Sequence, residues 1–111
     1  MPKKDRINKV FKAIADPTRR EIFHILVIAS AAMSLTQLTD HFNMSRQGVT
    51  KHIKQLEAAG MIRTSEQGRE RFCVANLEAL NEIRDWLAFY DKFWDSAIKR
   101  LDNFLAGKMS S

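Results

Sequence analysis

The chain of 111 residues has one cysteine, two prolines, four glycines and three histidines. A single cysteine excludes an intrachain disulfide framework and fits a reducing compartment. The soft or imidazole ligands available, Cys73, His24, His41 and His52, are scattered along the chain. A transition-metal site wants several such groups together, so neither a metal nor a cofactor is expected. No apolar run approaches the roughly 18 residues that cross a bilayer, and the N-terminal MPKKDRINK has no secretory hydrophobic stretch. A cytoplasmic protein is expected. No phosphate-cradling glycine loop and no nucleophile–base pair can be assembled from the remaining residues, which argues against an enzyme. With so little proline and glycine there is no linker or low-complexity tract. The length supports a single domain, residues 1–111, with a modest core of the kind that commonly gains stability by dimerising.

What the chain does have is positive charge, unevenly placed. The formal net charge is +5. Residues 1–60 hold ten Lys/Arg against five Asp/Glu, residues 61–76 three against two, and residues 77–111 five against six. An excess confined to the first two thirds is the electrostatic footprint of a nucleic-acid-binding face, although solvation alone also accounts for a basic composition.

The segment SLTQLTDHFNMSRQGVTKHIKQLEAAGMI, Ser34 to Ile62, reads as two short helices joined by a tight turn. Ser34 and Gln37 have the spacing of a capping box. Leu35, Leu38 and Phe42 follow at helical spacing, Asn43 suits the left-handed position that ends a helix, and Ser45 can cap the next one. On a helix of residues 45–59, at about 100° per residue, Val49, Ile53 and Leu56 share one face, which is expected to be buried. Gln47, Thr50, Lys51 and Lys54 point the other way, Arg46 and His52 flank the buried stripe, and Gly60 closes the helix. The pattern is a helix-turn-helix whose second helix presents side chains to base edges. The plainer alternative is an amphipathic hairpin with a merely solvated charged face.

The following residues weigh against that alternative. Met61–Thr64 and Arg71–Val74 read as two short strands around a turn containing Gly68, which can supply the positive φ of a tight hairpin. A hairpin placed directly after the recognition helix, over residues 61–75, is a wing. This one carries Arg69 and Arg71.

Ahead of these elements, Ile7, Val10, Phe11 and Ile14 form an apolar stripe on a helix of about residues 5–15. Asp16-Pro17 stops it and starts a second, with Asp16 as N-cap and Pro17 at the first helical position; Ile22, Phe23, Ile25 and Leu26 supply core. After the wing, residues 77–105 contain neither proline nor glycine and read as one long helix. Leu80, Leu87, Trp94 and Leu101 recur every seven residues, as do Ile83, Tyr90, Ala97 and Phe104, giving a coiled-coil-like seam. Trp86, Phe89, Phe93, Ile98 and Leu105 broaden it. The helix is expected to pack on its own domain with one side and on a partner subunit with another, the dimer contact running through Leu80, Ile83, Leu87, Tyr90, Trp94, Ala97 and Leu101; a purely intramolecular core stripe and an aromatic ligand pocket between subunits are the alternatives. The fold class is mainly α with a small β-hairpin: a winged helix-turn-helix of about five helices and a two-stranded wing.

The segments FKAIADPTRREIFHIL (Phe11–Leu26), LTQLTDHFNMSRQGVTKHIKQLEAAGMI (Leu35–Ile62) and RTSEQGRERF (Arg63–Phe72) together resemble the ArsR/SmtB family of winged helix-turn-helix repressors. The resemblance implies a dimeric prokaryotic regulator, associated with the nucleoid, that binds an inverted-repeat operator in double-stranded DNA and leaves it on a signal. It implies that the N-terminal and C-terminal helices build the dimer, and that Arg19 and Arg20 support the fold or lie near the DNA backbone. The family's metal sensors carry a Cys-x-Cys pair before the recognition helix, or Asp, His and Glu ligands on the C-terminal helix. Here the first place reads LTQLTDHF and the second, WLAFYDKFW and its surroundings, has no histidine, so a metal signal is not expected, and release through an unidentified small molecule, a partner protein or the protein's own concentration stays open. The DNA-binding candidates are Ser45, Arg46, Gln47, Thr50, Lys51, His52, Lys54, Arg69 and Arg71. Gln47 is assigned to base readout, with Arg46, Lys54, Arg69 and Arg71 mainly on phosphates. Cys73, on the second wing strand, is expected to be a small, partly buried residue rather than a redox switch.

Overall fold

In the computed structural model, which describes residues 2–109, the elements run α1 (Pro2–Ala15), α2 (Pro17–Ala29), β1 (Met33–Ser34), α3 (Leu35–Thr39), α4 (Arg46–Ala58), β2 (Ile62–Gln67), β3 (Glu70–Ala75), a 3₁₀ turn (Leu77–Leu80) and α5 (Asn81–Met109). The residues up to Asn81 form one compact unit and those from Glu82 onward another.

The break between α1 and α2 is made by Asp16. Its carboxylate accepts the Arg19 backbone N–H at 2.9 Å, capping α2 with Pro17 in the first turn, as the Asp-Pro pair predicts. The two arginines that follow serve the preceding helix. Arg19 donates through Nε to the carbonyl of Ala13 at 2.8 Å and through Nη2 to that of Lys12 at 3.1 Å. Arg20 donates through Nη1 to Ile14 at 2.7 Å and Ala15 at 3.4 Å. The last four carbonyls of a helix have no partner within it, and here two guanidinium groups supply them while placing positive charge at the negative end of the helix dipole. Of the two roles the resemblance offers Arg19 and Arg20, fold support is the one their geometry displays.

The core of the first unit collects one face from each element. Val10 and Ala13 of α1, Ile22, Phe23 and Leu26 of α2, Leu35 and Leu38 of α3, Val49, Ile53 and Leu56 of α4, and Met61, Ile62 and Cys73 around the sheet are all buried. Every residue predicted for the inner face of α4 is within 1% of complete burial. α2 packs against α1, α4 and β3 and so lies at the middle of the unit.

The wing contains a third strand that sequence reading did not anticipate. Met33 and Ser34 pair with Cys73 and Phe72, giving an antiparallel sheet of order β1-β3-β2. A two-residue strand has no alternation to read. Ser34 is at once the end of this strand and the N-cap of α3, where the predicted capping box forms with both bonds at 3.0 Å. β2 and β3 pair from Ile62↔Ala75 to Gln67↔Glu70, longer than the predicted strands, and leave a two-residue loop with Gly68 at φ +65°.

Two boundaries differ from expectation. α3 ends at Thr39, so Phe42 is outside it and Asn43 does not take the left-handed conformation. The Thr39 hydroxyl donates back to the Leu35 carbonyl at 2.7 Å, a local bond that competes with the helical ladder. Beyond it the chain tightens into His41→Leu38 and Phe42→Thr39 bonds, so the turn is longer than predicted. At the other end, α5 begins at Asn81 and Leu80 belongs to the 3₁₀ turn. Asn76 stands where an N-cap would, but its side chain donates to the Gly60 carbonyl at 2.8 Å and caps nothing. An uncapped first turn wound as 3₁₀ is a common way to begin a helix.

α5 is amphipathic at most in sequence; in the structure its whole length from Arg84 to Lys108 is exposed. It carries ten of the fourteen large apolar residues that are exposed among the described residues, from Trp86 to Leu105. Its rings contact one another along the helix: Trp86 lies edge-on to Tyr90 with centroids 5.3 Å apart, and Phe89 lies 5.8 Å from Phe93.

Candidate nucleic-acid interface

α4 is fixed at both ends. Ser45 accepts the Gly48 N–H at 3.0 Å through its hydroxyl, and at the far end Met61 N–H bonds to Leu56 and Gly60 N–H to Glu57, a Schellman closure. Gly48 faces this cap closely. A Cβ there would stand 3.2 Å from Met44 Cε and 3.3 Å from the Ser45 hydroxyl, which gives this glycine in the first turn of α4 a local packing reason.

With Val49, Ile53 and Leu56 inward, Gln47, Lys51 and Lys54 are exposed. None of the three side chains has an intramolecular hydrogen bond or ion pair among the described residues, and the same holds for the side chain of Arg69 in the hairpin loop. These four donors are available to an external acceptor. Thr50 is half-buried and its hydroxyl donates to the Arg46 carbonyl at 2.8 Å, which leaves its methyl and oxygen lone pairs as the contact groups. The Thr64 hydroxyl on β2 donates to the Glu57 carboxylate of α4, joining wing to recognition helix.

The remaining candidates are engaged within the protein. Arg46 donates through Nη1 to the Thr36 hydroxyl at 2.8 Å and through Nη2 to Glu70 Oε1 at 2.9 Å, while Thr36 itself donates to Glu70 Oε2 at 3.0 Å. The Glu70 carboxyl is held below the usual carboxylate range by the Thr36 hydroxyl and by the Arg46 guanidinium. Arg71 pairs with Glu66, its direct cross-strand neighbour, at 3.2 Å. His52 turns toward the start of α2, with Nδ1 3.8 Å from Asp16 Oδ2, and is half-buried. Asp16 is lowered from its ordinary value by the Arg19 backbone N–H, and further by the charges of Arg19 and His52. His52 is therefore placed for packing against the Asp16 cap rather than beside Gln47 and Lys51.

Thr36, Glu66 and Glu70 were not among the sequence candidates. Their acidic or hydroxyl character was visible, but only the register of the wing and the docking of α3 bring them to the arginines. Cys73 is fully buried, and burial pushes its thiol up; such a thiol is a poor nucleophile. Among the described residues no three His, Cys, Asp or Glu side chains cluster to hold a metal ion, and no helix is long and apolar enough to cross a membrane. Of the seam residues, Ile83 is half-buried, whereas Leu87, Tyr90, Trp94, Ala97 and Leu101 are exposed on α5.

Comparison with known proteins places this geometry. The profile of a family described as a helix-turn-helix domain matches residues 14–65. The chain is similar to the transcriptional repressor SdpR of Bacillus subtilis (strain 168), 32% identical over 81 residues, which span 73% of this chain and 88% of that protein. Among solved structures it resembles a crystal structure of an ArsR family transcriptional regulator, with TM-score 0.74 and 35% identity over 84% of this chain and 94% of the other. An ArsR-like transcriptional regulator from Rhodococcus sp. RHA1 superposes with TM-score 0.71 and 28% identity, covering 94% and 96% of the two chains.

Proposed function

Since the chain belongs to the ArsR family of winged helix-turn-helix, DNA-binding transcriptional regulators, we propose that it acts as a homodimeric repressor on an inverted-repeat operator. The observation that carries the reading is the outward face of α4, where the side chains of Gln47, Lys51 and Lys54 stand exposed and unpaired among the described residues, as does that of Arg69 in the wing. In this reading α4 enters the major groove. Gln47 reads an adenine edge, because its amide both donates and accepts. Lys51 reaches guanine acceptors or the backbone, and Thr50 offers its methyl to thymine. Lys54 and Arg69 neutralise phosphates, which adds affinity for any sequence.

One recognition helix covers only a few base pairs, so a two-fold pair reading half-sites about one helical turn apart is the working unit. The exposed apolar length of α5, Leu87, Tyr90, Trp94, Ala97 and Leu101 together with its further aromatic residues, is the surface proposed to form that pair. Ten large apolar side chains exposed along one helix form the kind of contiguous patch that marks an interaction site. Repression follows from occupancy: a dimer seated on a promoter excludes polymerase, and SdpR, the relative from Bacillus subtilis, is itself a repressor by name. The regulator works in the cytoplasm on the nucleoid, and a small molecule or partner protein releases it.

The test is fluorescence-anisotropy binding to the DNA upstream of its own gene and to a scrambled duplex, at several salt concentrations. Tighter binding to the native fragment, with both affinities falling steeply in salt, is expected. Equal and weak binding to every upstream fragment tried would sink the repressor reading.

A further inference from the structure

Two arginines at the DNA-facing end have their charge matched inside the protein. Arg71 and Glu66 form an exposed cross-strand pair of the kind worth little. The Arg46–Glu70 pair is exposed too, its side chains 51% and 32% accessible, but it is part of a network. It joins the first residue of α4, the first residue of β3 and the second residue of α3 in a closed triangle of bonds at 2.8, 2.9 and 3.0 Å, with Thr36 accepting from the guanidinium and donating to the carboxylate. Each member restrains the other two, so the guanidinium is held against Glu70 by geometry as well as charge.

The location gives the contact its meaning. Arg46 follows the cap of α4, at the end of a recognition helix that approaches the DNA, and in a winged helix-turn-helix the natural partner for an arginine there is a phosphate. Thr36 and Glu70 take one N–H from each Nη of the guanidinium, and a phosphate bound at that same edge would displace Glu70. A phosphate bound at that edge leaves Glu70 facing the phosphodiester with like charge, and one bound beside it shares a guanidinium whose charge Glu70 already offsets. The four unpaired donors, Gln47, Lys51, Lys54 and Arg69, meet no such competition.

We propose that Glu70 masks Arg46, so that Arg46 makes no phosphate contact in the bound protein and affinity for every duplex is held below what the basic face would otherwise give. This rests on the DNA-binding reading above. The masking lowers the sequence-independent component of binding and leaves the base-reading residues untouched, which favours rapid exchange between sites.

The experiment measures salt-dependent binding of wild type, Glu70→Gln, Glu70→Ala, Arg46→Ala and the Arg46→Ala/Glu70→Gln double variant to the scrambled duplex. Each phosphate contact contributes about 0.9 to the slope of log K against log salt, or roughly five- to tenfold in affinity near 0.1 M salt. Both Glu70 variants should bind tighter by about that factor, with a slope steeper by about 0.9. Arg46→Ala alone should leave the slope unchanged, and in the double variant it should abolish the steepening. An unchanged slope in both Glu70 variants overturns the inference, as does a flattened slope in Arg46→Ala, which would place Arg46 on a phosphate already. A double variant that stays tight would show that Glu70 merely repels DNA, and overturns it equally. Wild-type protein with no salt-dependent binding to any duplex would instead remove the DNA-binding reading itself, an outcome visible before any variant is made.

Discussion

Replacing Leu87 and Trp94 on α5 by glutamate should convert the protein to a monomer. The two side chains are 53% and 64% exposed, so a little over half of each is available for a partner subunit to cover. Complete burial of a large apolar side chain is worth about 1.5–3 kcal/mol, so covering the exposed part contributes roughly 1–1.5 kcal/mol for each. A two-fold interface presents every position twice, and the pair of positions therefore accounts for about 4–6 kcal/mol of dimer stability. At 1.4 kcal/mol per tenfold, losing that amount weakens association by about a thousandfold or more, before the desolvation of four carboxylates is added. The helix itself should survive, because glutamate has helix propensity close to that of leucine and better than that of tryptophan. Sedimentation velocity at micromolar protein should show a dimer for the parent and a monomer for the variant, with equal far-UV circular dichroism. Operator affinity should fall in parallel, since a monomer engages one half-site. A variant that remains dimeric with unchanged affinity would refute the assignment of this face to the interface.

Gln47→Ala should cost roughly 1–3 kcal/mol of discrimination at particular operator positions, read by competition with single-base operator variants; an unaltered preference would take Gln47 out of base readout. Arg69→Ala should weaken binding to all sequences and reduce the salt slope by about 0.9, and an unchanged slope would mean that the wing tip does not touch phosphate. Asp16→Ala should cost about 1 kcal/mol of stability at neutral pH through loss of the α2 cap. The Asp16 carboxyl sits below its ordinary 3.8 in the folded chain, so its contribution is complete above that value and disappears as pH falls through the lowered one. Urea unfolding at neutral pH and near pH 3 should therefore show the difference between parent and variant shrinking in acid, and a gap of constant size would show that the cap does not depend on the charge.

The helices that pack by periodic apolar residues were legible because periodicity is a local property. Val49, Ile53 and Leu56 fall on one face at helical spacing whatever surrounds them, and all three are buried. Caps were legible for the same reason: Ser34 with Gln37, Asp16 with Pro17, and Ser45 each act over three or four residues. The errors lie where a local signal was overridden by a second local bond or by a distant one. Asn43 had the chemistry of a helix end, but the Thr39 back-bond ended α3 first. Leu80 had the heptad spacing of Leu87, but the Asn76 amide was taken by the Gly60 carbonyl, sixteen residues earlier in the sequence. β1 exists only because β3 offers Met33 and Ser34 a partner.

The same distinction separates the exposed donors of the candidate interface from the engaged ones. Spacing on α4 put Lys51 and Lys54 on the outward face and Arg46 on its flank, and all three were alike as DNA-binding candidates. Whether an outward cation is available to DNA depends on what the rest of the fold brings beside it, and this is fixed by tertiary register. The pairing of Gln67 with Glu70 across a two-residue loop sets Glu70 at the start of β3, and the short α3 sets Thr36 next to it. A wing shifted by one residue would turn Glu70 to the other face of the sheet and leave Arg46 without its carboxylate. The charge that the basic face offers to DNA is thus set by strand register as much as by composition, and counting lysines and arginines along the chain overstates it by the arginines that the wing has already engaged.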